Sequence, residues 1–389
     1  MSNSLSKISR SAFEKYFKNT SWMLLDKFFR MGLTLVVGIY VTNHLGLEQV
    51  GVFGNVLAYI GIFGILPTLG IYNILLRDLS ASKSNKGEIL GTAFMMQFAL
   101  AILTVLLVGL SVFTLENEDA WLIFVASATF IFLPFRLIDF YFQSEVKAKY
   151  GAIAQIIAFG IVSGLKILFI FKDYGVDAFV FLLVIEAFLT GIFLLFAYLN
   201  YRQEGKAWRF NKQIATSFLK QSWFHLLASA MAVIYLKIDQ IMIVEMISKE
   251  ANGIYSTAVR FSEAFYILPA IIANSVMPAI VQAKQKSEIL YRERIQQLIN
   301  LLGMGALAVA IVSQFASEPF IQLVFKKEFW PASEVLIWHI WAALFMFVGV
   351  GAERFLLIEN KHSFFFYKGA VGMGSNVLLN FWLIPKFGV

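Results

Sequence analysis

The chain has 389 residues, of which 59% are apolar, 16% aromatic and only 15% charged, with a mean hydropathy of +0.72. Polar residues must still cover the outside of a water-soluble fold, so this composition excludes a soluble enzyme, a nucleic-acid module and a disordered scaffold. Cysteine is absent, which removes disulfides, thiol catalysis and cysteine-held metals, and the net charge of +7 has to be judged by where the charges fall.

A helix needs about 20 mostly apolar residues to cross the hydrocarbon core. By that measure the sequence predicts eleven spans, at 22–44, 51–76, 89–113, 120–138, 151–171, 176–199, 219–247, 253–283, 299–325, 332–352 and 364–385. The runs are too long and too evenly apolar for barrel strands. The expected fold class is an all-α polytopic membrane protein. The first span is read as retained, because it is too long for a signal-peptide core and is interrupted by Asp26, Lys27 and Arg30.

Basic residues orient such a chain, since cytoplasmic loops carry the excess of Lys and Arg. With the N-terminus inside, the inside segments hold 22 of them, including Arg77, Arg136, Arg209, Lys284 and Lys368. The outside loops hold five, Lys172, Lys249, Lys326, Lys327 and Lys386, and one outer loop, Glu116-Asn117-Glu118-Asp119, is acidic. The positive surplus therefore faces an inner leaflet and calls for no nucleic acid.

An internal repeat organises the spans. Gly51-Val52-Phe53 precedes Ile65-Leu66-Pro67, and Gly253-Ile254-Tyr255 precedes Ile267-Leu268-Pro269, with every position offset by 202. That offset covers six spans, an even number, so the halves enter the membrane the same way up. The expected organisation is a basic arm at 1–20, a six-helix lobe at 21–200, a basic linker at 201–218 and a second lobe at 219–389. Such repeats imply a cavity between lobes and alternating access by rocking. Lys172-Asp173-Tyr174-Gly175-Val176 opens the sixth span, and its counterpart, Lys386-Phe387-Gly388-Val389, is the last stretch of the sequence. The expectation is a missing twelfth helix; the alternative is an eleven-span protein with its C-terminus outside.

Charged side chains within spans each cost roughly 2.5–3.5 kcal/mol on insertion scales and call for a reason. Lys237 and Asp239 before the turn near residue 250, and Arg260 and Glu263 after it, fall at similar depths, about 15–20 Å below the turn at helical rise. Two cross-hairpin pairs, Lys237 with Glu263 and Asp239 with Arg260, are geometrically open to them. They either neutralise each other and fix register, or line a cavity where cations meet an anionic substrate and a carboxylate exchanges an ion. Lys166 and Glu186 form another such couple. Lys27 and Arg30 share a face of the first span, either snorkelling to headgroups or forming a cationic doorway. His225 reads as an interhelical hydrogen-bonder.

No loop exceeds about 20 residues, which leaves no room for a soluble catalytic domain. There is no phosphate-cradling loop, no Gly-rich dinucleotide turn and no His pair at metal-ligand spacing, so neither metal nor cofactor is expected. Transport energy would come from an ion or substrate gradient.

Leu236-Lys237-Ile238-Asp239-Gln240-Ile241-Met242, with Gly253 through Glu263 and then Pro278, resembles the second-lobe signature of polysaccharide flippases. These are O-antigen and repeat-unit exporters of the multidrug/oligosaccharidyl-lipid/polysaccharide superfamily. Leu45-Gly46-Leu47-Glu48-Gln49-Val50-Gly51-Val52-Phe53 is similar to the turn after the family's first helix, and Asn380 through Val389 to the element before its last. The resemblance implies a two-lobed, twelve-helix MATE-like fold and a bacterial inner membrane. It also implies a substrate, an oligosaccharide carried on polyprenyl pyrophosphate, moved to the periplasmic leaflet. Membrane lipids and polysaccharide polymerase or chain-length machinery would be its partners. On that reading Arg260, Lys237, Arg30, Lys27 and Lys166 counter the pyrophosphate, while Asp239, Glu263 or Glu186 couples an ion. A cation-coupled exporter of small amphipathic molecules is the alternative on the same fold. A polymerase or ligase fits less well, since those enzymes carry a long outer loop that this chain lacks.

Overall fold

The computed structural model describes residues 10–82, 85–112, 118–201, 207–359, 361 and 363–388. Lys7, Lys83, Arg202, Lys206 and the Glu116-Asn117 half of the acidic loop lie outside them. Among the described residues all regular structure is helical. The helices are α1 (Arg10–Phe63), α2 (Ile65–Thr68), α3 (Tyr72–Ala81), α4 (Lys86–Val112), α5 (Ala120–Ser127), α6 (Thr129–Phe132), α7 (Leu137–Ser144), α8 (Ala148–Phe171) and α9 (Val176–Tyr201). They continue as α10 (Lys212–Met246), α11 (Lys249–Ala264), α12 (Ile267–Lys286), α13 (Glu288–Val324), α14 (Ala332–His339), α15 (Ala342–Ile358) and α16 (Ser363–Phe387). Helices satisfy their own backbone polar groups, which hydrocarbon demands.

Among the described residues, eight helical tracts are long and apolar enough to cross a membrane, or nine if a pair bent by 41° at residues 340–341 counts as one. That is fewer than the expected eleven, and two tracts account for the difference. Lys18–Ala81 is 64 residues long, about 96 Å at helical rise, and so holds two of the expected spans. The 25-residue α16 matches the eleventh but is too polar to be counted with the others, carrying Lys368, Asn376 and Asn380.

The second expected span, 51–76, is not one continuous helix. Gly46 already breaks α1 with φ 75° and ψ 173°, a conformation that L side chains avoid. The chain breaks again at Gly64 and at Leu69-Gly70, both of the latter left-handed. Pro67 explains the first of these breaks, because its ring removes an N–H from the turn that would join α1 to α2. Gln97 donates to the freed carbonyl of Thr68 at 3.1 Å. The same break recurs 202 residues later, where α11 stops at Ala264 and α12 starts at Ile267, two residues before Pro269.

The chain divides into two compact units, residues 1–40 with 59–233, and residues 41–58 with 234–389. In the first, Leu75, Leu79, Leu90, Phe142 and Phe218 form the core. In the second, Ala273, Ile280, Tyr291, Leu298 and Phe347 bind α12, α13 and α15 together, and Met242, Ile243 and Ile384 join α10 to α16.

Candidate functional site

In the second unit, α10 and α11 run antiparallel, turned by Ser248, whose hydroxyl caps α11 by accepting from Ala251 N–H. Lys237 of α10 reaches across to Glu263 of α11 and donates to both carboxylate oxygens, at 3.1 and 3.0 Å. This is one of the two expected cross-hairpin pairs. Each side chain keeps about a quarter of its surface accessible, 26% and 28%.

The other expected pair does not form. Asp239 accepts from the hydroxyl of Tyr255 and, at 3.0 Å, from its neighbour's backbone Gln240 N–H. Arg260 instead donates to the buried hydroxyl of Thr42 at 3.1 Å. The depths of Asp239 and Arg260 match, but their directions do not. Arg260 lies five residues past Tyr255, about 140° around α11, and so points away from the face that Asp239 meets.

Asp239, Glu263, Tyr255 and Tyr266 line a cavity of about 300 Å³ together with His339, Asn376 and Asn380. Each element supplies its part for a local reason. The Pro269 break turns Tyr266 into the cavity wall at the end of α11. His339 ends α14 beside the bend, where Ser262 Oγ lies 2.7 Å from its Nδ1, and its ring stands edge-on to Tyr255 at 5.9 Å. The asparagines of α16 are four residues apart and so share one face. The wall thus offers two carboxylates, phenol hydroxyls and amides, a donor-and-acceptor set suited to a small cation or a polar group. Among the described residues no three His, Asp or Glu side chains gather as they would around a metal.

In the first unit, Lys166 of α8 and Glu186 of α9 stand 3.6 Å apart. Arg30 bonds Asp26 at 2.6 Å, one helical turn earlier, and Asp26 is 95% buried, with a relative exposure of 5%. Lys27, on the next face of α1, is exposed beside Phe28 and Phe29. Of the two doorway candidates, Arg30 is thus paired with Asp26, while Lys27 is exposed. His225 is exposed and shows no side-chain hydrogen bond among the described residues.

Sequence reasoning missed Tyr255, Tyr266, His339 and the asparagines. Tyr255 was in view as the repeat's aromatic, but its hydroxyl gave no sign of a partner. The one legible signal for Asn376 and Asn380 was two amides spaced i, i+4 within a span. Arg136, counted with the inside segments, stands in a 3₁₀ turn, Leu133–Arg136, within the Ala120–Ser144 tract.

Residues 16–284, more than half of the chain, match the family model described as "Polysaccharide biosynthesis protein". The chain belongs to that family. Two relatives from Haloferax volcanii are similar over most of its length. One, "Probable flippase AglR", is 23% identical over 91% of this chain and 74% of its own. The other, "Probable low-salt glycan biosynthesis flippase Agl15", is 21% identical over 94% and 77%. Among solved structures, an inward-facing multidrug resistance MATE family transporter of the MOP superfamily superposes with a TM-score of 0.62, at 14% identity, over 92% of this chain and 86% of that one. A MOP superfamily transporter from Pyrococcus furiosus gives 0.61 at 13% identity over 96% and 90%. The eukaryotic MATE transporter AtDTX14 gives 0.57 at 12% over 96% of both chains. The fold is therefore that of the MATE transporters.

Proposed function

We propose that this family member is a flippase, a transporter and not an enzyme, which moves an oligosaccharide on polyprenyl pyrophosphate from the cytoplasmic to the outer leaflet. The observation that carries the reading is the cavity in the second unit, whose wall holds Asp239, Tyr255 and Glu263, the last of these paired with Lys237. An ion pair that stays partly accessible within a membrane span can open to an anion and a cation in turn, which is what ion-coupled alternating access needs. Lys237 then answers the pyrophosphate, with Arg260, Arg30, Lys27 and Lys166 as further cations. Asp239 carries the coupling ion, with Glu263 and Glu186 as the other carboxylate candidates. The names of both Haloferax relatives support a flippase, and that of Agl15 supports a place in glycan biosynthesis; the likeness to multidrug transporters supports the fold alone. The basic inside segments support a cytoplasmic N-terminus and a chain seated in the cytoplasmic membrane.

The test is export of lipid-linked oligosaccharide by cells carrying Lys237→Ala, Asp239→Asn or Arg260→Ala at normal protein levels. Loss of surface glycan is the expected result. Unchanged glycan in all three, with drug resistance conferred by the wild-type chain, overturns the proposal in favour of a small-molecule exporter.

A further inference from the structure

The first unit holds a six-charge cluster whose bookkeeping does not close. Asp26 with Arg30, and Lys166 with Glu186, are paired. Arg136 and Asp139 are left, three residues apart, and they do not pair with each other. Asp139 accepts from Gln143 Nε2 at 2.8 Å, and its carboxylate rests against the Cα of Gly151, where a Cβ would lie 2.0 Å from Oδ1. Pinned there by α8, it is held off Arg136. The guanidinium of Arg136 has no hydrogen-bond or ion-pair partner among the described residues, yet it remains exposed, between buried Pro134 and buried Leu137.

Its depth makes that exposure meaningful. Arg136 lies eight residues before the end of the Ala120–Ser144 tract, about 12 Å in at helical rise. Its charged neighbours are Arg30, Asp139, Asp26 and Glu186. An unpaired guanidinium is costly in hydrocarbon, which favours water over lipid at its exposed face. Arg30 is committed to Asp26 through Nη2, and its Nε is buried without a partner. Asp26 Oδ1 is likewise buried and unpartnered, which leaves Arg136 as the more accessible cation of the two arginines.

We infer that Arg136 is an anion-binding residue of the transport path, and that its ligand is a diphosphate monoester. A planar guanidinium grips two phosphate oxygens at once, and Arg136 is the cation of this cluster whose whole fork is uncommitted. This inference rests on the reading of the cargo as a diphosphate lipid and adds a residue which that reading did not contain.

The experiment uses the full chain in lipid nanodiscs, with farnesyl diphosphate and inorganic pyrophosphate as probes in parallel titrations. Arg136→Ala should weaken binding on the order of tenfold or more, the loss expected for a charge-assisted bond. Arg136→Lys should recover part of it, and both variants should melt no lower than wild type, since an unpaired intramembrane cation stabilises nothing. Farnesyl diphosphate binding tighter than pyrophosphate marks a lipid headgroup as the source; equal affinity marks a free diphosphate, and either supports the assignment. Binding by Arg136→Ala within twofold of wild type, or a lowered melting temperature showing a structural role, overturns it while leaving the flippase reading intact. A wild-type chain that binds neither probe overturns both.

Discussion

Gly51 and Gly253 stand 202 residues apart in sequence and against one another's segment in space. A Cβ on Gly51 would lie 1.7 Å from the carbonyl oxygen of Lys249, and one on Gly253 would lie 2.1 Å from that of Leu47. Leu47 and Lys249 are themselves separated by 202, so the contact is reciprocal, as two copies of one motif meeting about a local two-fold would make it. Gly54 meets Ser256, again at the same offset, and Asn252 donates to the Gly51 carbonyl at 2.7 Å. Small residues allow such backbone approach between membrane helices.

Gly51→Ala or Gly253→Ala should therefore be among the most damaging single-methyl changes in the chain. The obstructing atoms are backbone, which cannot rotate away, so the cost is at the upper end of the roughly 1–3 kcal/mol for overpacking. Reduced yield of monodisperse protein and a lower melting temperature in detergent would show it. The double variant should cost less than the sum, because one shift of the segments relieves both contacts. Additive losses would mean that the two glycines do not share an interface.

Neutralising one member of the Lys237–Glu263 pair should destabilise the protein by roughly 1–3 kcal/mol, the cost of an orphaned buried charge reduced for partial exposure. The exchange Lys237→Glu with Glu263→Lys restores the pair and should restore the melting temperature. Transport separates the roles. If the pair only fixes helix register, the exchanged protein exports glycan normally; if Lys237 meets the pyrophosphate, export stays lost.

How far the sequence foretold this site follows from what period and depth encode. Lys237 and Glu263 were legible as a pair because both are long side chains, able to bridge small errors in azimuth. Asp239 and Arg260 shared the same depth, yet the angle between faces of α11 sent one to Tyr255 and the other to Thr42. Depth comes from counting residues, whereas azimuth depends on how the helices pack. The breaks at Gly64 and Ala264 were foreshadowed by Pro67 and Pro269, but not that the second would bring Tyr266 to a cavity. The 3₁₀ turn that carries Arg136 was not legible either, because a turn next to Pro134 looks, in sequence, like the end of a span.

Asp239→Asn keeps an oxygen that can accept from the Tyr255 hydroxyl, so the variant should fold and melt close to wild type. It cannot change charge. In proteoliposomes with an imposed proton or sodium gradient, the dependence of transport on that gradient should disappear. Tyr255→Phe, which removes the hydroxyl and leaves the carboxylate, should retain gradient dependence at a lower rate. Gradient-driven transport that survives Asp239→Asn would move the coupling role to Glu263 or Glu186, the next carboxylates to test.

Acid should act on a different pair, at the membrane boundary. Lys284, in the last turn of α12, donates to Glu359 at 2.7 Å and to the carbonyl of Ile358 at 3.2 Å, tying α12 to the end of α15. The Lys284 ammonium holds the Glu359 carboxyl below the ordinary value of 4.5. A carboxylate with a depressed folded-state value binds its proton more readily when unfolded, so the clamp stabilises above that ordinary value and fades as pH falls through the folded one. Because Glu359 is partly open to solvent, the effect is small and sensitive to salt. Glu359→Gln should lower the melting temperature slightly at neutral pH, with the gap to wild type closing below about pH 4 and narrowing in high salt. A gap that widened in acid would reverse the sign and exclude Lys284 as its cause.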